Sequence, residues 1–182
     1  MLFRSQMSGM LNEMLETARL EDDRLELKAE LFDVRHAVAA VTEALKPLTG
    51  STHLVRVQVP AHAVPVVADR ARVETIVTNL IDNAIKYSPL GGDIDCIVEI
   101  RDGEALVAVT DHGIGIAGED MTTLFTRFGR ITSDATVSIP GTGLGLYLSR
   151  ELARMQQGDL TAHSQAGEGS TFTLQLPIAA SS

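Results

Sequence analysis

Asparagine, lysine and glycine residues at regular spacing are the part of this sequence most suited to chemistry. In residues 79–88, Asn79 and Asn83 lie one turn apart and share a face if the segment is helical. Amide oxygens are suitable ligands for a hard cation such as Mg²⁺. Lys86 follows about one turn later, within reach of a phosphate bound nearby. A solvated polar helix face would account for the same residues, so this segment alone leaves both interpretations open.

A second segment, residues 111–116, joins a carboxylate to glycines directly after a predicted strand. Asp111 can accept a hydrogen bond from an exocyclic amine, and Gly113 and Gly115 let the backbone pass close to a planar ligand. Asp followed by Gly is also common in turns, so the motif is weak by itself. We interpret His112 as an exposed loop side chain.

Two further glycine segments follow. Residues 141–146 (Gly-Thr-Gly-Leu-Gly-Leu) lead into a predicted helix, where free N–H groups and the helix dipole favour an anion. They lack the Gly-Lys-Ser/Thr end of a Walker loop, and Leu146 stands where a dinucleotide fingerprint has its third glycine. They therefore predict phosphate binding by a different fold. Residues 167–172 (Gly-Glu-Gly-Ser-Thr-Phe) enter the last strand, and a plain hairpin accounts for them.

The elements that must position these segments are predicted from hydrophobic periodicity, caps and turn residues. Helices are expected over residues 5–20, 34–45, 69–87 and 142–155, with Asp33 and Asp69 as N-caps and Pro47 and Gly50 ending the second. Strands are expected over residues 25–34, 53–59, 64–68, 94–101, 105–110, 159–164 and 171–177. This order predicts an α+β fold, an α/β sandwich in which a mixed sheet lies under helices.

The first helix carries an apolar stripe whose purpose the sequence leaves open. The stripe consists of Met7, Met10, Met14 and Ala18, broadened by Leu11 and Leu15. It could pack on its own domain or form a seam for a partner helix, as in bundles and coiled coils. We favour the seam, because nothing later in the sequence obviously covers both faces of this helix.

Composition narrows the class of protein. The sequence has 182 residues with a net charge of −9, which argues against nucleic-acid binding through a general electrostatic surface. Its single cysteine, Cys96, excludes an intramolecular disulfide and a cysteine-rich metal site, and we expect a buried structural thiol. Apolar runs are too short to span a bilayer, and no signal peptide is evident. We therefore expect a cytoplasmic location, with a parent protein that could still be anchored in a membrane.

Taken together, the motifs resemble the histidine-kinase branch of the ATPase family that includes gyrase, Hsp90 and the mismatch-repair protein MutL. Residues 79–88 resemble its N box, 111–116 its first glycine box and 124–130 its F box, while 141–146 and 167–172 resemble its second and third glycine boxes. The resemblance covers about residues 25–177. It implies a Bergerat-type fold, with a mostly antiparallel sheet of about five strands covered on one face by about three helices.

The resemblance implies ATP and Mg²⁺ as cofactors and assigns residue roles. Asn83 is the expected metal ligand, with Asn79 beside it, and Lys86 contacts phosphate. Either Arg127 or Arg130 is expected to reach the γ-phosphate. Tyr87, Asp111, Gly115 and Thr171 are expected around the adenine, and residues 128–141, including Ser133 and Asp134, as a lid. The remaining expected nucleotide contacts are Gly113, Ile116, Phe128, Gly141, Thr142, Gly143, Leu144, Gly145 and Leu146.

The phosphate acceptor is expected to lie outside this chain. The acceptor histidine of the family is followed by an acidic residue and usually by Arg-Thr-Pro, and no histidine here has that context, including His36. Residues 1–23 resemble the end of the second dimerisation helix, residues 24–178 the catalytic domain, and residues 179–182 a tail. The chain is then expected to bind ATP without autophosphorylating. Expected partners are the upstream histidine hairpin, a response-regulator receiver domain through that histidine, and a second copy in the intact kinase.

Two other functions remain open at this point. One is a hydrolytic ATPase or an anti-sigma-type serine kinase of the same superfamily. The other is a nucleotide-binding regulatory scaffold without catalysis. The Asn79–Asn83 pair, the F box and the helical leader favour the histidine kinase.

Overall fold

A computed structural model describes residues 2–22, 25–50, 52–131, 136–137 and 139–179. The helices are α1 (Leu2–Glu21), α2 (Val34–Thr49), α3 (Arg70–Lys86) and α4 (Gly145–Met155), with a 3₁₀ helix at Gly118–Thr123. The strands are β1 (Glu30–Asp33), β2 (His53–Gln58), β3 (Pro65–Ala68), β4 (Gly92–Arg101), β5 (Glu104–Asp111), β6 (Asp159–Gln165) and β7 (Gly169–Pro177).

The main sheet has five strands in the order β2-β4-β5-β7-β6, and a separate two-stranded sheet pairs β1 with β3. β2 runs parallel to β4, whereas the other pairs are antiparallel. Alternate residues of β4 are buried, including Ile94, Cys96 and Val98, and this face joins one core with α2, α3 and α4. The predicted α+β sandwich, with a mostly antiparallel sheet under three helices, is confirmed.

Helix α3 forms where its sequence pattern predicts, because its N-cap and its buried apolar stripe both favour a helix over these residues. The Asp69 carboxylate accepts a hydrogen bond from the Arg72 N–H at 3.2 Å, which caps the first turn. The Asp69 N–H itself donates to Gln156 Oε1 at 2.8 Å, tying this end of α3 to the end of α4. The buried stripe of α3 consists of Val73, Ile76, Val77, Leu80, Ile81 and Ala84. Its remaining face is therefore free to carry Asn79, Asn83 and Lys86.

Two predicted boundaries are wrong near the start of the domain. Of the strand predicted over residues 25–34, only Glu30–Asp33 forms a paired strand. It ends there because Asp33 caps α2 through the Arg35 N–H and the helix starts at Val34. Pro47 does not end α2, which continues to Thr49. Proline removes only one hydrogen bond in a last turn, and Gly50, with φ of 61°, provides the actual stop.

Two expectations about single side chains are confirmed. Cys96 is fully buried in β4, and burial raises the pKa of its thiol to about 12, so it stays protonated and inert. His112 is exposed, with Nε2 3.7 Å from the Asp95 carboxylate. None of the helices in the described ranges has the length and apolarity needed to cross a membrane.

Helix α1 lies against the rest of the chain near the start of α4. Leu11, Met14 and Leu15 are exposed, whereas Thr17 is buried and Leu20 packs against the core. The side chains of Met7 and Met10 lie outside the described residues. The apolar stripe therefore stays in solvent over its described part, and the seam for a partner helix remains a prediction.

Candidate functional site

An open cleft lies between α3, the end of β5 and the start of α4. The predicted site residues that line it are Asn79, Asn83, Lys86, Tyr87, Asp111, Gly115, Ile116, Arg130, Gly141, Thr142, Gly143, Gly145 and Leu146. We call the part around Asp111, Gly115 and Ser170 the Asp111 end, and the part around Gly141, Thr142 and Gly145 the Thr142 end.

On the α3 side of the cleft lie two amides and an ammonium group, which differ in the partners that they already have. The Asn79 amide donates from Nδ2 to Ser149 Oγ on α4 at 2.9 Å. Lys86 forms an ion pair with Asp82 one turn earlier on the same helix. The Asn83 amide makes no hydrogen bond within the described part of the chain. Asn83 is thus the polar group on this helix that is most available to a ligand.

Asp111 is a buried carboxylate at the end of β5. Its side chain accepts a hydrogen bond from the Gly113 N–H at 2.9 Å and is approached by the Ser170 N–H. Both bonds favour the charged form, yet the residue is only 3% exposed, and burial raises the pKa of the carboxyl above its ordinary value. A second acceptor position of this carboxylate remains for a donor in the cleft.

The glycines beside Asp111 are required by close backbone approach. A Cβ at Gly113 would overlap with the Tyr87 carbonyl, and one at Gly115, where φ is 63°, would overlap with the Gln165 carbonyl. Between them, the Ile114 N–H donates to the Tyr87 carbonyl at 3.0 Å. Gly113 therefore lies against the end of α3 and does not line the cleft, and both glycines hold this loop in place.

The last strand contributes different side chains from the one expected. Thr171 points to the opposite face of the sheet, where its hydroxyl meets that of Thr110 at 2.9 Å. Its neighbours Ser170 and Phe172 line the cleft, with Ser170 directly opposite Asp111 in the register. Because side chains alternate along a strand, only one of two adjacent residues can face a ligand on one side. The sheet places Thr171 away from the cleft.

At the Thr142 end, α4 begins at Gly145, three residues later than predicted. The Thr142 hydroxyl accepts a hydrogen bond from the Leu144 N–H at 3.1 Å and shapes the turn into the helix. Gly143 has φ of 73° and packs against the backbone of Phe128, while Leu144 is buried in the core instead of facing the cleft. Backbone N–H groups at the start of a helix favour an anion here.

Of the two arginines considered for phosphate, Arg130 lines the cleft and Arg127 does not. Arg130 donates to the Ile139 carbonyl at 2.8 Å, and Arg127 lies over the ring of Phe128 at 5.1 Å from its centroid. Phe128 is more than half exposed and also lies outside the cleft lining. The lid residues Ser133 and Asp134 fall outside the described residues.

Several lining residues were not predicted individually. They are Glu13, Ile114, Leu124, Gly129, Ile131, Thr136, Pro140, Ser170 and Phe172. Strand alternation from the buried Asp111 and the core residue Leu174 could have indicated Ser170 and Phe172. No sequence signal indicates Glu13, which comes from α1 and is distant in the chain.

Comparison with known proteins gives consistent results. Residues 68–180 match the family model described as histidine kinase-, DNA gyrase B- and HSP90-like ATPase. Histidine protein kinase DivJ of Caulobacter vibrioides is 33% identical over 170 residues, covering 93% of this chain and 28% of DivJ. Sensor-like histidine kinase SenX3 of Mycolicibacterium smegmatis is 33% identical over 171 residues, covering 94% of this chain and 44% of SenX3. The chain thus spans less than half the length of these curated relatives.

A solved structure agrees with these relatives. Full-length ShkA, solved in complex with AMPPNP, superimposes with a TM-score of 0.81 at 25% identity, covering 96% of this chain and 36% of ShkA. The family match includes α3, β5, the glycine turn before α4 and β7, which are the elements that form the cleft. This chain therefore belongs to the family of histidine kinase-, DNA gyrase B- and HSP90-like ATPases, as an ATP-binding domain of the histidine-kinase type.

Proposed function

We propose that this chain binds Mg-ATP in the cleft and delivers the γ-phosphate to a histidine on a dimerisation helix outside the chain. The observation that carries the proposal is the arrangement of the cleft. A buried carboxylate lies at one end, glycine N–H groups lie at the other, and α3 carries the Asn83 amide, which makes no hydrogen bond to the residues that the structure describes. This order matches a purine base, a triphosphate and a metal ion.

Asp111 is proposed to accept a hydrogen bond from the adenine amino group. The carboxylate is buried and held by the Gly113 N–H, so its orientation is set before the base arrives. Ser170, which lines the cleft, is proposed to take the position beside Asp111 that was expected for Thr171. Tyr87 and Ile116 also line the cleft and provide surfaces for the base.

The residues present fit a magnesium ion held mainly by oxygen. Asn83 offers an amide oxygen in the cleft, and Asn79 retains its Oδ1 after donating through Nδ2 to Ser149. The described residues contain no cluster of three or more His, Cys, Asp or Glu that could hold a metal ion. Such a set suits Mg²⁺, which is commonly bound through few protein ligands, waters and substrate phosphates. When bound, the ion would neutralise charge that develops on the transferring phosphate.

The protein itself is proposed mainly to position the phosphates and to stabilise their negative charge. The N–H groups at the turn before α4 are proposed to hold phosphate oxygens, and Lys86 and Arg130 to supply positive charge. Lys86 must exchange its ion pair with Asp82 for a phosphate, and Arg130 already lines the cleft. Phosphoryl transfer needs this positioning more than covalent participation by the protein.

A neutral Asn79 supports transfer to histidine over hydrolysis. By the resemblance, Asn79 stands where related ATPases such as gyrase carry an N-box glutamate that activates water. The Asn79 amide is bound to Ser149 Oγ and has no basic group to accept a proton from water. The proposed partners are the histidine hairpin, a response-regulator receiver domain and, in the intact kinase, a second copy of the chain.

Calorimetric titration with AMPPNP, with and without Mg²⁺, tests the nucleotide site. We expect Mg²⁺ to strengthen binding at least about tenfold in the wild type. Asn83→Ala should remove that Mg²⁺ dependence, whereas Thr75→Ala, an exposed position on the same helix, should keep it. Equal Mg²⁺ dependence in both variants would contradict the role of Asn83.

Transfer of labelled phosphate from ATP to an added histidine hairpin then tests the reaction. The kinase proposal expects acid-labile labelling of the hairpin and little free phosphate. Release of phosphate without labelling would favour a hydrolytic ATPase. Binding without either product would favour a regulatory scaffold.

A further inference from the structure

Helix α1 faces its own domain with an acidic side. Glu13, Glu16, Thr17 and Leu20 recur at steps of three and four, so they share one helix face. Thr17 is 2% exposed and Leu20 packs against the core. The apolar residues Leu11, Met14 and Leu15 face solvent instead. Polar contacts therefore take part in the docking of this helix, beside the packing of Leu20.

Two of those contacts are made by carboxylates. Glu13 accepts a hydrogen bond from the Thr142 hydroxyl, and Glu16 forms an ion pair with Arg72 in the first turn of α3. The hydroxyl of Thr142 has one hydrogen, which it gives to Glu13, while it accepts the Leu144 N–H at 3.1 Å. Glu13 thus occupies the donor capacity of a residue at the turn proposed to hold phosphate.

The position of Glu13 places a negative charge where the nucleotide would bring another. Glu13 itself lines the cleft together with Gly141, Gly143 and Gly145. The N–H groups and dipole at the start of a helix attract a carboxylate as they attract a phosphate. Two anions competing for one such region repel each other, and the repulsion is stronger where water is partly excluded.

We propose that α1 is an autoinhibitory strap in which the Glu13 carboxylate competes with nucleotide phosphates at the Thr142 end of the cleft. Nucleotide binding then releases Glu13, and docked α1 lowers the affinity for nucleotide. The two events are linked by thermodynamics. If nucleotide binding weakens the docking of α1 by some factor, the docking of α1 weakens nucleotide binding by the same factor. This inference rests on the proposed nucleotide site and adds a means by which the leader helix controls it.

The main test compares AMPPNP and adenosine binding by calorimetry in the wild type, Glu13→Gln and Glu26→Gln. Glu13→Gln keeps the size of the side chain and removes its charge, so we expect AMPPNP affinity to rise about 5- to 20-fold. Adenosine affinity should not change, because adenosine carries no phosphate. Glu26→Gln makes the same change in net charge at an exposed site away from the cleft and should leave both affinities unchanged.

The outcomes separate this proposal from the one before it. If neither the wild type nor Glu13→Gln binds AMPPNP, the nucleotide site itself is wrong. Wild-type binding that is unchanged in Glu13→Gln would overturn the strap alone. Weaker binding in Glu13→Gln would also overturn it and would make Glu13 a positive contributor to the site.

Hydrogen exchange of α1 provides a second measurement that does not depend on affinity. AMPPNP should speed amide exchange in residues 9–20 of the wild type, as the helix is released. Glu16→Gln, which breaks the ion pair with Arg72, should speed exchange there without nucleotide and raise AMPPNP affinity by a smaller factor. Exchange that slows on AMPPNP binding would show that nucleotide holds α1 in place and would overturn the proposal.

Discussion

The two ends of the cleft are built by different means. At the Asp111 end, a carboxylate that is 3% exposed sits at the end of a central strand, and Gly113 and Gly115 lie directly against neighbouring carbonyls. At the Thr142 end, a Cβ added to Gly141 would meet nothing within 4 Å, and one at Gly145 would meet only the Asn79 side chain, at 2.7 Å. Helix α1 closes one side of this end through Glu13. The core thus shapes the first end before a ligand arrives, whereas the second depends on contacts that can separate.

Exchange of one glycine at each end for alanine should give the largest difference. Gly115→Ala combines a left-handed backbone with overlap on the Gln165 carbonyl, and should lower the free energy of unfolding by about 3 kcal/mol or more. Gly141→Ala, made in open space, should change it by about 0.5 kcal/mol or less. Urea unfolding measures both. Similar losses at the two sites would refute the contrast between the ends.

The next effect concerns recognition at the Asp111 end. Asp111→Asn turns an acceptor into a group that also presents N–H donors to the adenine amine, and should weaken adenosine binding about 10- to 100-fold. The domain should not lose stability, because burial already disfavours the charged form of this side chain. Asp102→Asn, in an exposed turn, is the matched control and should bind adenosine normally. Calorimetry that shows equal affinities would contradict the assignment.

Lowering the pH should progressively weaken adenosine binding at the Asp111 end of the cleft. Burial raises the pKa of Asp111, so protonation, and with it the loss of adenosine affinity, should begin at higher pH than for an ordinary aspartate. In the ligand-free domain, the contribution of Asp111 to stability changes with pH in the opposite direction. The stability linked to proton uptake by Asp111 is present at low pH and is lost as pH rises through the raised pKa. Titration of adenosine over a pH series should show this loss in the wild type but not in Asp111→Asn.

Acid unfolding of the scaffold should occur separately. The hydrogen bonds from Arg35 hold the pKa of Asp33 at about 2, below its ordinary value of 3.8. The stability that ionised Asp33 contributes is therefore present above pH 3.8 and is lost as pH falls towards 2. Loss of adenosine affinity that coincided with unfolding in this lower range would argue against a raised pKa at Asp111.

The smallest effect is expected where α3 meets α4. Ser149→Ala removes the hydroxyl that accepts from the Asn79 amide and should lower the free energy of unfolding by about 1 kcal/mol. Thr75→Ala, an exposed hydroxyl on α3, should change it by less than about 0.5 kcal/mol. Urea unfolding of the two variants distinguishes these values. No loss in Ser149→Ala would mean that this bond does not hold the Thr142 end together.

Much of the fold could be predicted because local signals agreed with the core. The Asp69 cap and the stripe from Val73 to Ala84 predict α3 almost to the residue, and Asp102–Gly103 predicts the hairpin of β4 and β5. Predictions failed where the surrounding structure outweighed the local sequence pattern. Apolar alternation before Asp33 predicted too long a strand, and Pro47 was accommodated in the last turn of α2.

The candidate site shows the same division. The sequence by itself determined which segments form it, because asparagines one turn apart and glycines before a helix have few other uses together. Tertiary structure alone decided which side chains face the cleft: Ser170 and Arg130 do, whereas Thr171 and Arg127 do not. It also brought Glu13 to Thr142 across more than a hundred residues. Side-chain direction and long-range contact depend on how strands, loops and α1 pack, which local patterns do not encode.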